Sequence, residues 1–284
     1  MFVLSHAQAR ELFSAHTGGA AGMEISLDLG LSLTPVLLDP HGVGLPGGGS
    51  LPWESIAAIA GDENGCYFLE QTPGVCEPRK IQLYSELTDR SYSLFPTSGA
   101  PTMLVSGLPM HRIKGTDPHR DTLEKIKTAR PAGNVLDTCT GLGYTAIEAS
   151  KLANVAHVTT IELDPAALQI CRLNPWSQTL FDNHKITQII GDSFDEIANF
   201  PDGTFTRILH DPPYLSLAGD LYSLDFYRQA WRVLSRNGRL FHYIGDPESK
   251  SGRSTTAGVI KRLEQAGFRH IERAPRAFGV VASK

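Results

Sequence analysis

Residues 134–149 read NVLDTCTGLGYTAIEA. A short apolar run ends in Asp137, glycines follow at 141 and 143, and a helical stretch resumes at Tyr144. Strand, glycine turn and helix in this order open a βαβ unit. Glycine permits positive φ and close approach of a ligand to the backbone, and the helix behind it begins with unpaired N–H groups. A Gly-x-Gly turn alone is weak evidence, so its weight depends on its surroundings.

Downstream the same grammar repeats. HVTTIEL (157–163) leads to a helix from Pro165, with Asp164 as its cap. KITQII (185–190) leads to a short helix from Ser193, and FTRILH (205–210) to a helix across 221–235. RLFHYI (239–244) leads to a helix over 255–266, and FRHIERA with RAFGVVAS closes the chain as a hairpin. Apolar strands alternating with helices predict a doubly wound, mainly parallel α/β sheet of Rossmann-like type with an antiparallel ending. In such sheets ligands sit beyond the carboxyl ends of the strands. Those ends carry Asp137, Glu162, Asp192 (in GDS) and Asp211. Four acids at four successive strand ends are more than solubility requires.

Upstream the grammar differs. EISLDLG, TPVLLDPHGVGLPGG, KIQLYSE, SYSLFPTSG and PTMLVSG are short alternating runs broken by turn residues. They predict a small antiparallel β-rich domain, with a helix near 5–15 and another starting at Asp117–Pro118. The expected division is 1–130 and 131–284.

Composition narrows the classes. Of 284 residues 41% are hydrophobic, and the net charge is −4. No apolar run reaches about 18 residues, so no membrane helix is expected, and the N-terminus lacks a signal-peptide pattern. Four cysteines without a CxxC pair argue against a zinc or other metal site and against a disulfide framework, and favour a reducing cytoplasm. Residues 1–130 hold 10 basic and 14 acidic side chains, while 228–276 hold 11 basic and 4 acidic. The acidic balance opposes indiscriminate nucleic-acid binding, and the basic stretch permits a specific one.

These motifs together resemble the class I S-adenosylmethionine-dependent methyltransferases over residues 131–284. DTCTGLGYT resembles the glycine-rich first motif, IELD the ribose-binding acid, GDSF the adenine-side acid and DPPY the fourth motif. With the β-rich domain ahead of it, the chain resembles predicted archaeal-type methyltransferases carrying an amino-methyltransferase DPPY. The GxGxxG spacing of a dinucleotide dehydrogenase fails, because position 146 is alanine. The resemblance implies S-adenosylmethionine as cofactor. It places Asp137, Gly141 and Gly143 on the methionine side, Glu162 on the ribose, and Asp192 with Ser193 on the adenine.

It also gives RILHDPPYLS (207–216) a purpose. Two consecutive prolines remove two donors and hold the chain extended, which a plain turn does not need. Asp211 and the Pro212 carbonyl are expected to accept the hydrogens of an exocyclic amine, and Tyr214 to stack on its ring. His210 is either a proton relay or a core histidine. Substrate contacts are expected from His111 and Arg112 in the first domain, from His242 and Tyr243, and from Lys250 and Arg253 on a mobile loop over 245–255. The expected activity is methyl transfer to an exocyclic amine of a nucleic-acid base, by an enzyme that could pair as a homodimer. The alternatives are an aminopropyltransferase of polyamines, a small-molecule or protein N-methyltransferase, and a non-catalytic RNA-binding protein.

Overall fold

The computed structural model describes residues 1–72 and 75–284. Two compact units divide the chain: Met1–His119 with Ala166–Gln178, and Arg120–Pro165 with Thr179–Lys284.

The first unit carries three small antiparallel sheets. Val3–Ser5, Cys66–Thr72 and Val75–Lys80 form one, Gly22–Ile25 through Ser50–Pro52 a second, and Gln82–Ser85 through Leu108–Pro109 a third. The hairpin expected around 40–42 is present, with Leu38 opposite Val43. Helix His6–Thr17 begins at a capping box, in which the Ser5 N–H donates to Gln8 Oε1 at 3.0 Å. A second helix, Trp53–Gly61, went unread in the sequence. Its Ile56 and Ile59 are one turn apart and join Leu12, Ile25 and Leu51 in this unit's core.

The second unit is one seven-stranded sheet. Its strands are β1 (Gly133–Asp137), β2 (Val155–Glu162), β3 (Ile186–Ile190), β4 (Phe205–His210), β5 (Leu234–Tyr243), β6 (Arg269–Ala274) and β7 (Gly279–Ser283). They lie in the order β3-β2-β1-β4-β5-β7-β6. β1 to β5 are parallel, and β7 runs antiparallel between β5 and β6. The apolar strands bury Leu136, Ile161, Ile208 and Leu240 against Phe226, Tyr227 and Val259 of the covering helices. The order reverses at β1, whose neighbours are β2 and β4, so the switch point lies where Asp137, Glu162 and Asp211 end their strands.

Two local expectations change. β5 begins at Leu234, opposite Phe205, rather than at Arg239, because Asn237 at φ +62° carries the chain through an irregular register without leaving the sheet. The 245–255 segment is largely helical. Helix Lys250–Ala266 starts on Ser249, whose Oγ accepts from Gly252 N–H at 2.9 Å. Gly252 reads as a loop residue, yet it is there for packing: a Cβ would lie 1.8 Å from the Asp246 carbonyl oxygen.

Candidate active site

At the end of β1 the chain turns through Gly141 at φ +53° and Gly143 at φ +76°. The two glycines serve different ends. A Cβ on Gly143 would come within 2.8 Å of Leu180, whereas one on Gly141 would point into open space. The Gly141 N–H donates to Glu162 Oε2 at 2.9 Å, and the Asp164 N–H donates to Glu162 Oε1 at 3.1 Å. Each carboxylate oxygen keeps lone pairs for further donors, as a ribose diol would supply. Burial pushes Glu162 up to about 7, against the pull of these N–H groups.

Asp137 is fully buried. Its Oδ2 accepts from the Thr160 hydroxyl at 2.7 Å, and Thr145 adds a longer bond at 3.3 Å. Thr160 gives its proton to Asp137, so its 2.7 Å partner Thr140 must donate to it. The acid therefore anchors the glycine turn from below, and burial pushes it up to about 7. On the other side of the turn, Ser193 Oγ donates to the Thr138 carbonyl. Asp192 caps the short helix Ser193–Glu196, accepting from Phe194 N–H at 2.8 Å. Open space at Gly141 beside a carboxylate with spare lone pairs fits a nucleoside cofactor.

The end of β4 is built differently. His210 stacks on Phe226, with ring centroids 4.7 Å apart. Its Nε2 faces the Leu221 carbonyl at 2.9 Å and so carries the hydrogen, leaving Nδ1 to accept from Thr138 Oγ1 at 2.7 Å. Burial lowers its pKa to about 3. His210 is thus a neutral, satisfied core residue. His242 lies beside it on β5, is fully buried, and is 2.9 Å from the Tyr227 hydroxyl.

Asp211 Oδ2 accepts from Lys125 Nζ at 2.6 Å. Lys125 is 1% exposed, lies 3.0 Å from Asp121 Oδ2 one helical turn away, and has its Nζ 4.3 Å from the centre of the Tyr243 ring. Burial alone would strip its proton; the two carboxylates outweigh burial and hold it above the usual lysine range. Burial raises Asp211 in turn, opposed chiefly by Lys125. Past the two prolines the chain is held by its carbonyls. The Pro213 carbonyl accepts from the Tyr222 hydroxyl at 3.0 Å, and the Tyr214 carbonyl from Leu217 N–H at 2.7 Å. Among the described residues, Asp211 Oδ1 and the Pro212 carbonyl accept no hydrogen bond. Tyr214 is 48% exposed.

The remaining expected contacts are dispersed. His111 Nδ1 lies 3.0 Å from Thr102 Oγ1, and both His111 and Arg112 belong to the first unit. Arg253 donates to the Glu248 carbonyl at 2.9 Å and, with Thr256, Arg273 and Phe278, lines a shallow cleft beyond the end of β5. The sequence reading missed Asp121, Lys125 and Tyr222. A signal existed in the Asp121–Lys125 spacing of four, which suits an ion pair on one helix face.

Residues 115–249 match the family described as Methyltransferase small domain. Uncharacterized protein MJ1233 of Methanocaldococcus jannaschii is 42% identical over 239 residues, 83% of this chain and 79% of that protein. Polyamine aminopropyltransferase 2 of Streptomyces coelicolor is 26% identical over 49% of this chain and 26% of its own length. A release factor glutamine methyltransferase of Rhodopirellula baltica is 33% identical over 34% of this chain and 32% of its own. Among solved structures, a spermidine synthase in complex with the transition state analogue AdoDATO matches in fold with a TM-score of 0.58, at 16% identity, over 77% of this chain and 79% of that one. No helix among the described residues is long and apolar enough to cross a membrane. The chain belongs to one family with the M. jannaschii protein and is a class I S-adenosylmethionine-dependent methyltransferase.

Proposed function

We propose that the enzyme methylates a nitrogen, the –NH₂ group on a planar acceptor, with the exocyclic amine of a nucleic-acid base as the acceptor class. One observation carries this reading: two unsatisfied acceptors, Asp211 Oδ1 and the Pro212 carbonyl, belong to adjacent residues beside the exposed ring of Tyr214. An –NH₂ group has two hydrogens to offer such a pair. S-adenosylmethionine, when bound, supplies a sulfonium-activated methyl group that needs only an aligned nucleophile. Holding both amine hydrogens fixes the direction of the nitrogen lone pair, which is catalysis by positioning. Tyr214 stacks on the planar acceptor, and the Asp211 carboxylate stabilises the positive charge that grows on nitrogen. The nitrogen becomes acidic only as it attacks, so its proton passes to water and no strong base is required. Glu162 and the open face of Gly141 hold the nucleoside half of the donor.

The basic stretch 228–276 supports a nucleic acid, and the four free cysteines, Cys66, Cys76, Cys139 and Cys171, support a cytoplasmic setting. A second reading, aminopropyl transfer to a polyamine, is favoured by the aminopropyltransferase likeness and by the acidity of the site. Calorimetric titration with S-adenosylmethionine and with its decarboxylated form separates the two. The intact cofactor should bind more tightly, and Glu162→Ala should weaken it by about a hundredfold, the loss expected of charge-assisted hydrogen bonds. Radiolabelled methyl should then appear in N-methylated nucleosides after incubation with cellular RNA or DNA. Preference for the decarboxylated form overturns the methyl-transfer reading, and label found only in protein or small amines moves the acceptor.

A further inference from the structure

Lys125 is almost completely buried, yet it lies within hydrogen-bond reach of the acid that ends β4. Its ammonium has three hydrogens and three partners: Asp211 Oδ2 at 2.6 Å, Asp121 Oδ2 at 3.0 Å and the face of Tyr243 at 4.3 Å. A lysine so committed has nothing left for a substrate and no lone pair to act as a base. What it does is hold one particular oxygen of Asp211. With Oδ2 tied, the carboxylate cannot rotate, and Oδ1 is the oxygen left for an incoming group; the Asp211 side chain keeps 16% exposure.

The charge count is equally specific. A lone ammonium behind Asp211 would neutralise it and repel a nitrogen turning cationic. Asp121 supplies a second carboxylate, so two negative charges and one positive leave a net charge of −1. The two histidines nearest this group supply no counter-charge, since His210 and His242 are buried and bonded to Thr138, Leu221 and Tyr227. In a water-poor setting that residual charge is felt strongly at short range.

We infer that Asp121, Lys125 and Tyr243 form a buried positioning assembly that fixes Asp211 with Oδ1 outward and gives the acceptor pocket one net negative charge, selecting an acceptor nitrogen that is neutral on arrival and cationic after attack. The inference rests on the proposed nitrogen methylation, with Asp211 as the residue that meets the amine. Lys125 and Asp121 act through Asp211 and are positioning residues.

The assembly can be tested without knowing the acceptor. Sinefungin carries a primary ammonium where S-adenosylmethionine carries its S-methyl group, whereas S-adenosylhomocysteine carries nothing there. The ratio of their dissociation constants therefore reads the charge facing the transferred group. In the native enzyme sinefungin should bind at least tenfold more tightly. Asp121→Asn should cut that preference at least threefold while leaving S-adenosylhomocysteine affinity within twofold. Asp211→Asn, nearly isosteric, should remove the preference. A merely structural role for Asp121 predicts a lower melting temperature with an unchanged ratio, and that outcome overturns the assembly, as does the absence of any preference in the native enzyme. A responsive ratio together with methyl label on an atom other than nitrogen would instead sink the proposed function and leave the assembly standing.

Discussion

The acids at the ends of β1 and β2 and the acid at the end of β4 face the same problem, burial, and are held in two different ways. Asp137 and Glu162 are surrounded by neutral donors, the hydroxyls of Thr160 and Thr145 and the backbone N–H groups of Gly141 and Asp164. Both are pushed up to about 7, because dipoles offset only part of the cost of removing a charge from water. Asp211 instead has a full cation at 2.6 Å. A dipole-held carboxylate can take up a proton near neutrality and keep its place. A cation-held one stays charged but ties the site to the integrity of its partner.

The sharpest way to break this contrast is Lys125→Met, which leaves Asp121 and Asp211 buried together without a counter-charge. Removing one partner of a buried ion pair costs about 3–5 kcal/mol, and urea unfolding should show a loss of that size. A loss below about 1 kcal/mol, the range of exposed pairs, would mean that the pair is solvated. A smaller effect should separate the two glycines of the turn. Gly141→Ala forces a non-glycine residue into left-handed φ, a cost of about 1–2 kcal/mol, but meets no neighbour, so its main result should be weaker cofactor binding. Gly143→Ala carries the same strain and also strikes Leu180, so it should melt lower than Gly141→Ala. Equal melting temperatures would contradict the packing described.

The smallest effect concerns pH. Asp137 and Glu162 have folded pKa values near 7, above the roughly 4 of an unfolded carboxyl. The folded state therefore binds more protons between those limits, and stability falls as pH rises from about 4 to 7, then levels off. From these two groups, the native protein should melt a few degrees lower at pH 8 than at pH 5.5, and Asp137→Asn should flatten that slope. An unchanged slope in the variant would place the titration elsewhere.

Most of the sheet was legible because its evidence is local. Period-two apolar runs, glycines where φ turns positive, and acids at strand ends are all visible within a few residues. NVLD and FTRILH map onto β1 and β4 almost residue for residue. What hid was whatever depends on a distant partner. Along helix Pro118–Ala129 the chain buries Asp121, Thr122 and Lys125 and leaves Leu123 43% exposed. Hydrophobic patterning assigns the faces of that helix the opposite way, because it cannot know that an acid 86 residues later meets the lysine. The start of helix Lys250–Ala266 was missed for a related reason. Gly252 signals a break locally, and only the Asp246 carbonyl packed against it explains why a helix needs glycine there.

That inverted helix carries a consequence for how this enzyme can be divided. It precedes β1, so a fragment beginning at Gly133 would contain all seven strands, the glycine turn and DPPY. By its secondary structure it would look whole. It would nevertheless have Asp211 buried without its cation, and the cheapest relief for such a group is to bind a proton. A domain boundary drawn by counting strands would thus deliver an intact scaffold with the wrong protonation state. In this molecule the smallest heritable unit of the chemistry is longer than the smallest unit of the fold.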